Sequence, residues 1–134
     1  MLSNGFSTVV TQAQVTSGTL GSISNSSLSF SQPYGLVFDS SGTNVYISNL
    51  NSANGYLSYC TYDTGTNSIS SCGTYTNSNN PRPQGIALSA NGNYLYDAEQ
   101  TNSVFQCTVS SGVISNCTNT NIAFVYPDYG LAVY

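Results

Sequence analysis

The sequence has almost no charge. Of its 134 residues, one is a lysine or arginine, five are aspartate or glutamate, and histidine and tryptophan are absent. Nucleic-acid phosphates and anionic lipids are bound by clusters of Lys and Arg, so a chain whose one cation is Arg82 is predicted to bind neither. Without histidine, a Ser-His-Asp or Cys-His catalytic arrangement cannot form within the chain.

Long apolar runs are also absent, since no stretch approaches the roughly 20 residues of a membrane span. The opening MLSNGFSTVV lacks the basic and apolar regions of a signal peptide, so we expect a signal already removed or a fragment of a longer chain. Ser, Thr and Asn are abundant instead, at about 40 per cent of the residues. The 11 tyrosines, the 5 phenylalanines and the scarcity of proline favour a folded domain over disorder.

Two segments of the sequence repeat each other. One begins PYGLVFDSSGTNVYISN at Pro33 and the other begins PQGIALSANGNYLYDAE at Pro83, and the period is about 44–50 residues. The stretch before Pro33 aligns with the second half of a unit, with Ala13 and Ile23 at the positions of cysteines. Each unit holds four short segments rich in β-formers, separated by turn-forming SSG, NG and TG. This pattern predicts an all-β fold.

The repeat resembles the blades of the YVTN and lactonase-like β-propeller families, which open on a Pro-x-Gly strand, turn at an acidic or Asn-Gly corner and continue with a Tyr-rich strand. The residues that carry the match are Pro33, Gly35, Asp39, Gly42, Tyr46 and Asn49 in one unit and Pro83, Gly85, Asn91, Gly92 and Tyr96 in the next. The resemblance implies a partial propeller of about three four-stranded antiparallel blades. We expect an outer half-blade at 1–32, blades at 33–82 and 83–126, and the first strand of a further blade at 127–134.

The four cysteines fall in the outer hairpins that this resemblance implies. We therefore predict the disulfides Cys60–Cys72 and Cys107–Cys117, with each pair directly opposite across its hairpin. Four buried free thiols are the alternative, while a zinc site fits poorly because the spacing is not Cys-x2-Cys and no histidine is present. Disulfides indicate an oxidising compartment, which predicts an extracellular or cell-surface location.

Three of the six charges fall in the second unit, where Arg82 precedes the first strand and Asp97 and Glu99 lie two residues apart. Residues two apart in a strand share a face. The cluster is interpreted either as a polar or cation-binding spot near a central channel or as a local ion pair that replaces an apolar contact. We predict no metal and no cofactor.

Two Asn-x-Ser/Thr sequons, at Asn25 and Asn116, are candidate glycosylation sites, although sequons also arise by chance in so Ser-, Thr- and Asn-rich a chain. The remaining acids are interpreted as turn or strand-entry residues that bond nearby backbone amides. They are Asp39, Asp63 and Asp128.

These features favour a non-enzymatic secreted propeller module that acts as a structural or assembly component of a fibre, surface layer or matrix. A glycan- or protein-binding module is the alternative, and a lactonase-like hydrolase is a third hypothesis. The incomplete blades at both ends predict head-to-tail self-association, with the strand at 129–134 of one copy joining the first hairpin of the next. Two copies would then give a six-bladed ring, and an open filament is the alternative. Missing parent sequence is the trivial explanation of the incomplete ends.

Overall fold

The computed structural model describes residues 8–50, 56–76, 82–123 and 131–133. Within these ranges every regular element is a strand. The strands are β1 (Thr11–Thr16), β2 (Thr19–Asn25), β3 (Pro33–Phe38), β4 (Asn44–Asn49), β5 (Tyr56–Asp63), β6 (Ser68–Tyr75), β7 (Pro83–Leu88), β8 (Tyr94–Glu99), β9 (Ser103–Ser110) and β10 (Val113–Ala123).

The strands form two four-stranded antiparallel sheets and one two-stranded sheet. The first four-stranded sheet has the order β3-β4-β5-β6 and the second has the order β7-β8-β9-β10, while β1 and β2 pair with each other. This is the up-and-down order of propeller blades, and it confirms the predicted fold class. The strand expected at 127–134 lies mostly outside the described residues, and residues 131–133 are not in a strand.

Both four-stranded sheets turn their first corner in the same way. After β3, Gly42 donates its amide to the carbonyl of Asp39, and after β7, Gly92 donates to the carbonyl of Ser89. Both glycines have a φ near +70°, the left-handed conformation that glycine adopts without steric cost. The repeated SSG and ANG sequences therefore form equivalent turns.

The three sheets stack through two apolar clusters. One cluster joins the two four-stranded sheets, because Tyr46 and Leu57 of the first are buried with Leu95 and Phe105 of the second. The other cluster packs Val10 and Phe30, which flank the β1–β2 hairpin in sequence, against the β3–β6 sheet. It contains Val10, Phe30, Val45, Ile47, Cys60 and Ile69.

The inner strands of the two large sheets approach closely. The hydroxyl of Ser48 donates to the carbonyl oxygen of Gln84 and also accepts the amide of Gly35. A Cβ added at Gly35 would collide with that same carbonyl oxygen of Gln84. Glycine at position 35 is therefore required by the contact between the sheets.

Both predicted disulfides are present, Cys60–Cys72 between β5 and β6 and Cys107–Cys117 between β9 and β10. The sequence predicted that the two cysteines of each pair would lie directly opposite each other. Instead, each pair lies at a β-bulge. Ser71 and Asn116, the residues before the second cysteines, have φ values of 45° and 47°. Each bulge places two residues opposite one, which explains why a plain two-residue alternation gave the wrong local register.

Candidate functional site

The acidic pair Asp97 and Glu99 lies inside the contact between the two large sheets. Along β8, Asp97 pairs with Ile86 on one side and with Phe105 on the other, and both neighbours belong to the cluster that joins the sheets. Alternation along the strand puts Leu95, Asp97 and Glu99 on this same face. Both acidic residues have no exposed surface, so the pair is enclosed between the blades rather than open to solvent.

The surroundings of the pair favour a protonated carboxyl group. Burial raises the pKa of Glu99, and hydrogen bonds with the backbone amide of Arg82 and the side chain of Asp97 offset this only in part. The Arg82 amide donates to Glu99 Oε2 at 2.9 Å. A hydrogen bond between two carboxyl groups requires a proton on one of them, and two buried carboxylates side by side disfavour double ionisation. Burial of the two carboxyl groups in the sheet-to-sheet contact therefore disfavours their simultaneous ionisation.

The third member of the predicted cluster, Arg82, is half-buried just before β7. Its backbone amide donates a hydrogen bond to the Glu99 carboxylate, and its backbone carbonyl accepts one from the amide of Gln100. Its side-chain Nε is buried without a hydrogen bond to the described residues. Glu99 occupies the position that Asn49 holds in the preceding blade, where the Asn49 amide donates to Ser58 Oγ at 3.0 Å.

We expect stability to fall as the pH rises above the ordinary ionisation of Glu99. Unfolded Glu99 ionises near 4.5, whereas the folded pKa is raised, so between these values the folded state binds more protons and the free energy of unfolding decreases with pH. Glu99→Gln keeps an acceptor for the Arg82 amide without an ionisable group. In urea unfolding from about pH 5 to about pH 8, this variant should lose less stability than the wild type.

Asp63→Asn is the matched control for the pH series. Asp63 is exposed, and hydrogen bonds from the Thr66 hydroxyl and the amides of Gly65 and Thr66 lower its pKa. The stability that Asp63 contributes is present above its unfolded pKa and is lost as the pH falls. Asp63→Asn should therefore not alter how stability changes between about pH 5 and about pH 8. An unchanged alkaline slope in Glu99→Gln would contradict the assignment of the raised pKa to this pair.

Asp39 also serves a turn, as its sequence context predicts. It accepts hydrogen bonds from the Ser41 hydroxyl, the amides of Thr43 and Asn44, and the Asn44 side chain. Partial burial acts to raise its pKa, but these hydrogen bonds outweigh it and hold the pKa below the usual value. Asp128 lies outside the described residues. Among the described residues, no three His, Cys, Asp or Glu side chains are placed to hold a metal ion.

The two sequon asparagines are both exposed. Asn25 ends β2, where its side-chain oxygen accepts the Thr11 hydroxyl at 3.1 Å. Asn116 stands at the bulge beside Cys117 on the outer strand β10. The geometry leaves both side chains accessible, and their modification by sugar stays a prediction.

The sequence interpretation missed an exposed apolar face on the β1–β2 sheet. Val15 and Leu20 pair directly across the two strands, as do Ala13 and Ile23, and directly opposite residues share a face. Val15 is 62% exposed, and Leu20 and Ile23 are each 69% exposed. We call these four residues the back face. Its signal in the sequence was Ala13 and Ile23 at the cysteine positions of the repeat.

The second large sheet also has a partly exposed surface, on the side that faces away from the first large sheet. Asp97 faces the first large sheet, so Tyr94 and Tyr96 face away from it. Tyr94 is 38% exposed and Tyr96 is half-buried. Tyr96 occupies the repeat position of Tyr46, which is fully packed against the neighbouring blade. We call the surface of Tyr94 and Tyr96 the forward face.

Comparison with solved structures supports the architecture. The chain is similar to a putative 6-phosphogluconolactonase from Bacteroides fragilis, with a TM-score of 0.68, 17% sequence identity and 94% of this chain covered. The match spans 35% of that protein, so this chain corresponds to about a third of a lactonase-like propeller. At this identity the likeness establishes the fold alone. No protein-family model and no curated protein sequence matches the chain.

The disulfides indicate an oxidising compartment. Within the described ranges, no helix is long and apolar enough to cross a membrane.

Proposed function

We propose that this chain is a non-enzymatic extracellular module, built of propeller blades, that acts as a structural component of a fibre, surface layer or matrix. The observation that carries the proposal is the back face, where three large apolar side chains are more than half exposed on one small sheet. Contiguous exposed apolar surface marks sites of protein association. The two outer-hairpin disulfides suit a protein that functions outside the cell.

The partner of the back face is the forward face of a second copy. Inside the chain, the equivalent contact buries Tyr46 and Leu57 against Cys107, Ile114 and other residues of the next blade. The back face carries Ala13 and Ile23 at the positions of such cysteines, and the forward face carries Tyr96 at the position of Tyr46. Because the two surfaces differ, the contact is heterologous and produces either a closed ring or an open filament.

Of the strand predicted to bridge copies, residues 129–134, the structure describes only 131–133, and these are not in a strand. The proposal therefore depends on the two blade faces, whose side chains are described, and not on strand exchange. A ring of two copies would contain about six blades, within the usual range of propellers.

Two single variants test the direction of assembly. Ile23→Lys places a charge on the back face, and Tyr96→Lys places one on the forward face. Each variant alone should be monomeric at the mass of 14.1 kDa, because it retains one intact face with no intact partner. An equimolar mixture should form a heterodimer in light scattering, because the two remaining intact faces are complementary.

Ser40→Lys is the control for added charge. Ser40 is exposed in the turn after β3 of the middle sheet and belongs to neither face, so this variant should assemble like the wild type. Monomers in the equimolar mixture, or an assembly of Ile23→Lys with itself, would contradict head-to-tail contact.

Two other functions compete with this proposal. A module whose whole function is to bind a glycan or a protein would do so as a monomer. A lactonase-like hydrolase is suggested by the description of the similar solved structure, and it would be supported by hydrolysis of a lactone panel at a rate that depends on this chain. A phosphorylated lactone is a poor candidate substrate, because phosphate is usually bound by Arg and Lys and this chain has a single Arg.

A further inference from the structure

A small polar cleft separates the β1–β2 sheet from the outer hairpin of the next blade. Its volume is about 150 Å³, the space of roughly five water molecules. One wall is formed by Gln12, Ala13, Gln14, Ser22 and Ser24, and the other by Tyr62, Thr66 and Asn67. The cleft is therefore the size of a single small polar ligand group.

The corresponding space between the two large sheets is filled. There Tyr59 and Tyr75 pack against the disulfide Cys107–Cys117 and its apolar neighbours, and the Tyr75 hydroxyl accepts the Cys117 amide at 3.1 Å. Gln12 precedes Ala13 in the first unit as Tyr59 precedes Cys60 in the next. A glutamine at this position, in place of a tyrosine, leaves the first cleft open and polar.

The lining of the open cleft is neutral. Its walls present amides, hydroxyls, the small apolar residue Ala13 and one aromatic ring, and no lysine or arginine lines it. The nearest acid in sequence, Asp63, is engaged by its own turn, where it accepts from Gly65, Thr66 N and Thr66 Oγ1. Such a surface can recognise a ligand rich in hydroxyl groups but has no counter-charge for an ion.

Two side chains that line the cleft, Tyr62 and Gln12, are positioned to contact such a ligand. The Tyr62 ring is held by an edge-to-face contact with Phe38, with centroids 5.1 Å apart, and its hydroxyl donates to Asn67 Oδ1 at 3.2 Å. Across the cleft, Gln12 Nε2 donates to Ser24 Oγ, whereas Gln12 Oε1 has no hydrogen bond to the described residues. An acceptor without a partner is costly when buried. Gln12 Oε1 has almost no exposed surface, so a ligand hydroxyl would supply the missing donor once the Gln12 amide turns toward the cleft.

We propose that this cleft is a binding subsite for one neutral sugar unit of a saccharide. The Tyr62 ring offers the apolar surface against which a sugar ring can lie, and the amides of Gln12 and Asn67 bond its hydroxyls. Of the four back-face residues, Ala13 alone lines the cleft. The large exposed side chains that carry the assembly proposal, Val15, Leu20 and Ile23, are not part of the subsite.

Saturation-transfer NMR on the intact chain tests the subsite. The probes are maltose, cellobiose, lactose and N,N′-diacetylchitobiose, with glucose 6-phosphate as a charged comparison. At least one neutral disaccharide should bind, with a dissociation constant on the order of 1 mM. Gln12→Tyr, which introduces the side chain found at the equivalent position 59, should weaken that binding by at least about tenfold.

Gln106→Tyr is the matched control, because Gln106 precedes Cys107 at the same position of the second large sheet, away from the cleft. Gln106 pairs with Tyr96 of the forward face, so this control is read by saccharide binding and not by assembly. It should leave saccharide binding unchanged, and both variants should retain two disulfides and the unfolding midpoint of the wild type. Three outcomes would overturn the proposal: no neutral disaccharide binds, glucose 6-phosphate binds more tightly, or binding survives Gln12→Tyr.

Discussion

Removal of both disulfides should leave the chain largely unfolded at physiological temperature. The bonds close segments of 12 and 10 residues, and the loop-entropy estimate gives about 2–3 kcal/mol for each. Together they contribute about 5 kcal/mol, which is comparable to the whole stability of about 5–15 kcal/mol for a typical domain. Replacement of all four cysteines by alanine, followed by thermal unfolding monitored by circular dichroism, measures the effect.

The two bonds should differ in importance even though their loops are similar. Cys107 and Cys117 are both buried in the cluster that joins the large sheets, whereas Cys72 is exposed. The pair Cys107→Ala and Cys117→Ala therefore loses core packing as well as the cross-link, and should destabilise the chain more than Cys60→Ala with Cys72→Ala. Equal losses, or a greater loss from the Cys60–Cys72 bond, would contradict the packing assigned to the second hairpin.

Gly35→Ala should separate the two large sheets at their closest point. The added Cβ would collide with the carbonyl oxygen of Gln84 and lie 3.0 Å from Ser48 Oγ. The collision is with backbone, so the sheets themselves must move. We expect a loss of about 1–3 kcal/mol in the free energy of unfolding, as for other overpacked interiors, measured from the midpoint of urea unfolding.

Gly21→Ala is the control for the glycine substitution. Gly21 also lies in a strand, but a Cβ there would meet its nearest atom, the carbonyl oxygen of Gln14, at 3.4 Å, an ordinary contact. We expect this change to alter stability by less than about 0.5 kcal/mol. A loss in Gly35→Ala no larger than in Gly21→Ala would show that the sheets do not approach as described.

Much of the fold could be predicted because short motifs within the repeat set the local backbone conformation. The Pro-x-Gly strands and the corners at Gly42 and Gly92 each specify their own geometry through backbone preferences. The bulges at Ser71 and Asn116 could not be predicted. A polar residue in a left-handed conformation leaves no signal in a chain where such residues are frequent, and alternation assumes an unbroken register.

The candidate sites were less predictable because they depend on contacts between units. The shared face of Asp97 and Glu99 followed from their spacing, but their complete burial did not, since acidic residues are rarely fully buried. The saccharide cleft depends on the size of one side chain, Gln12, relative to Tyr59 in the next unit. Only the packed arrangement shows that this difference opens a space.

The mass of the unmodified chain in solution tests the assembly proposal most directly. Sedimentation equilibrium under non-reducing conditions, over a range of protein concentrations, reports whether the back face and the forward face associate. We predict a mass of at least twice 14.1 kDa, either constant for a closed ring or rising with concentration for a filament. A mass of 14.1 kDa at every concentration would contradict the account.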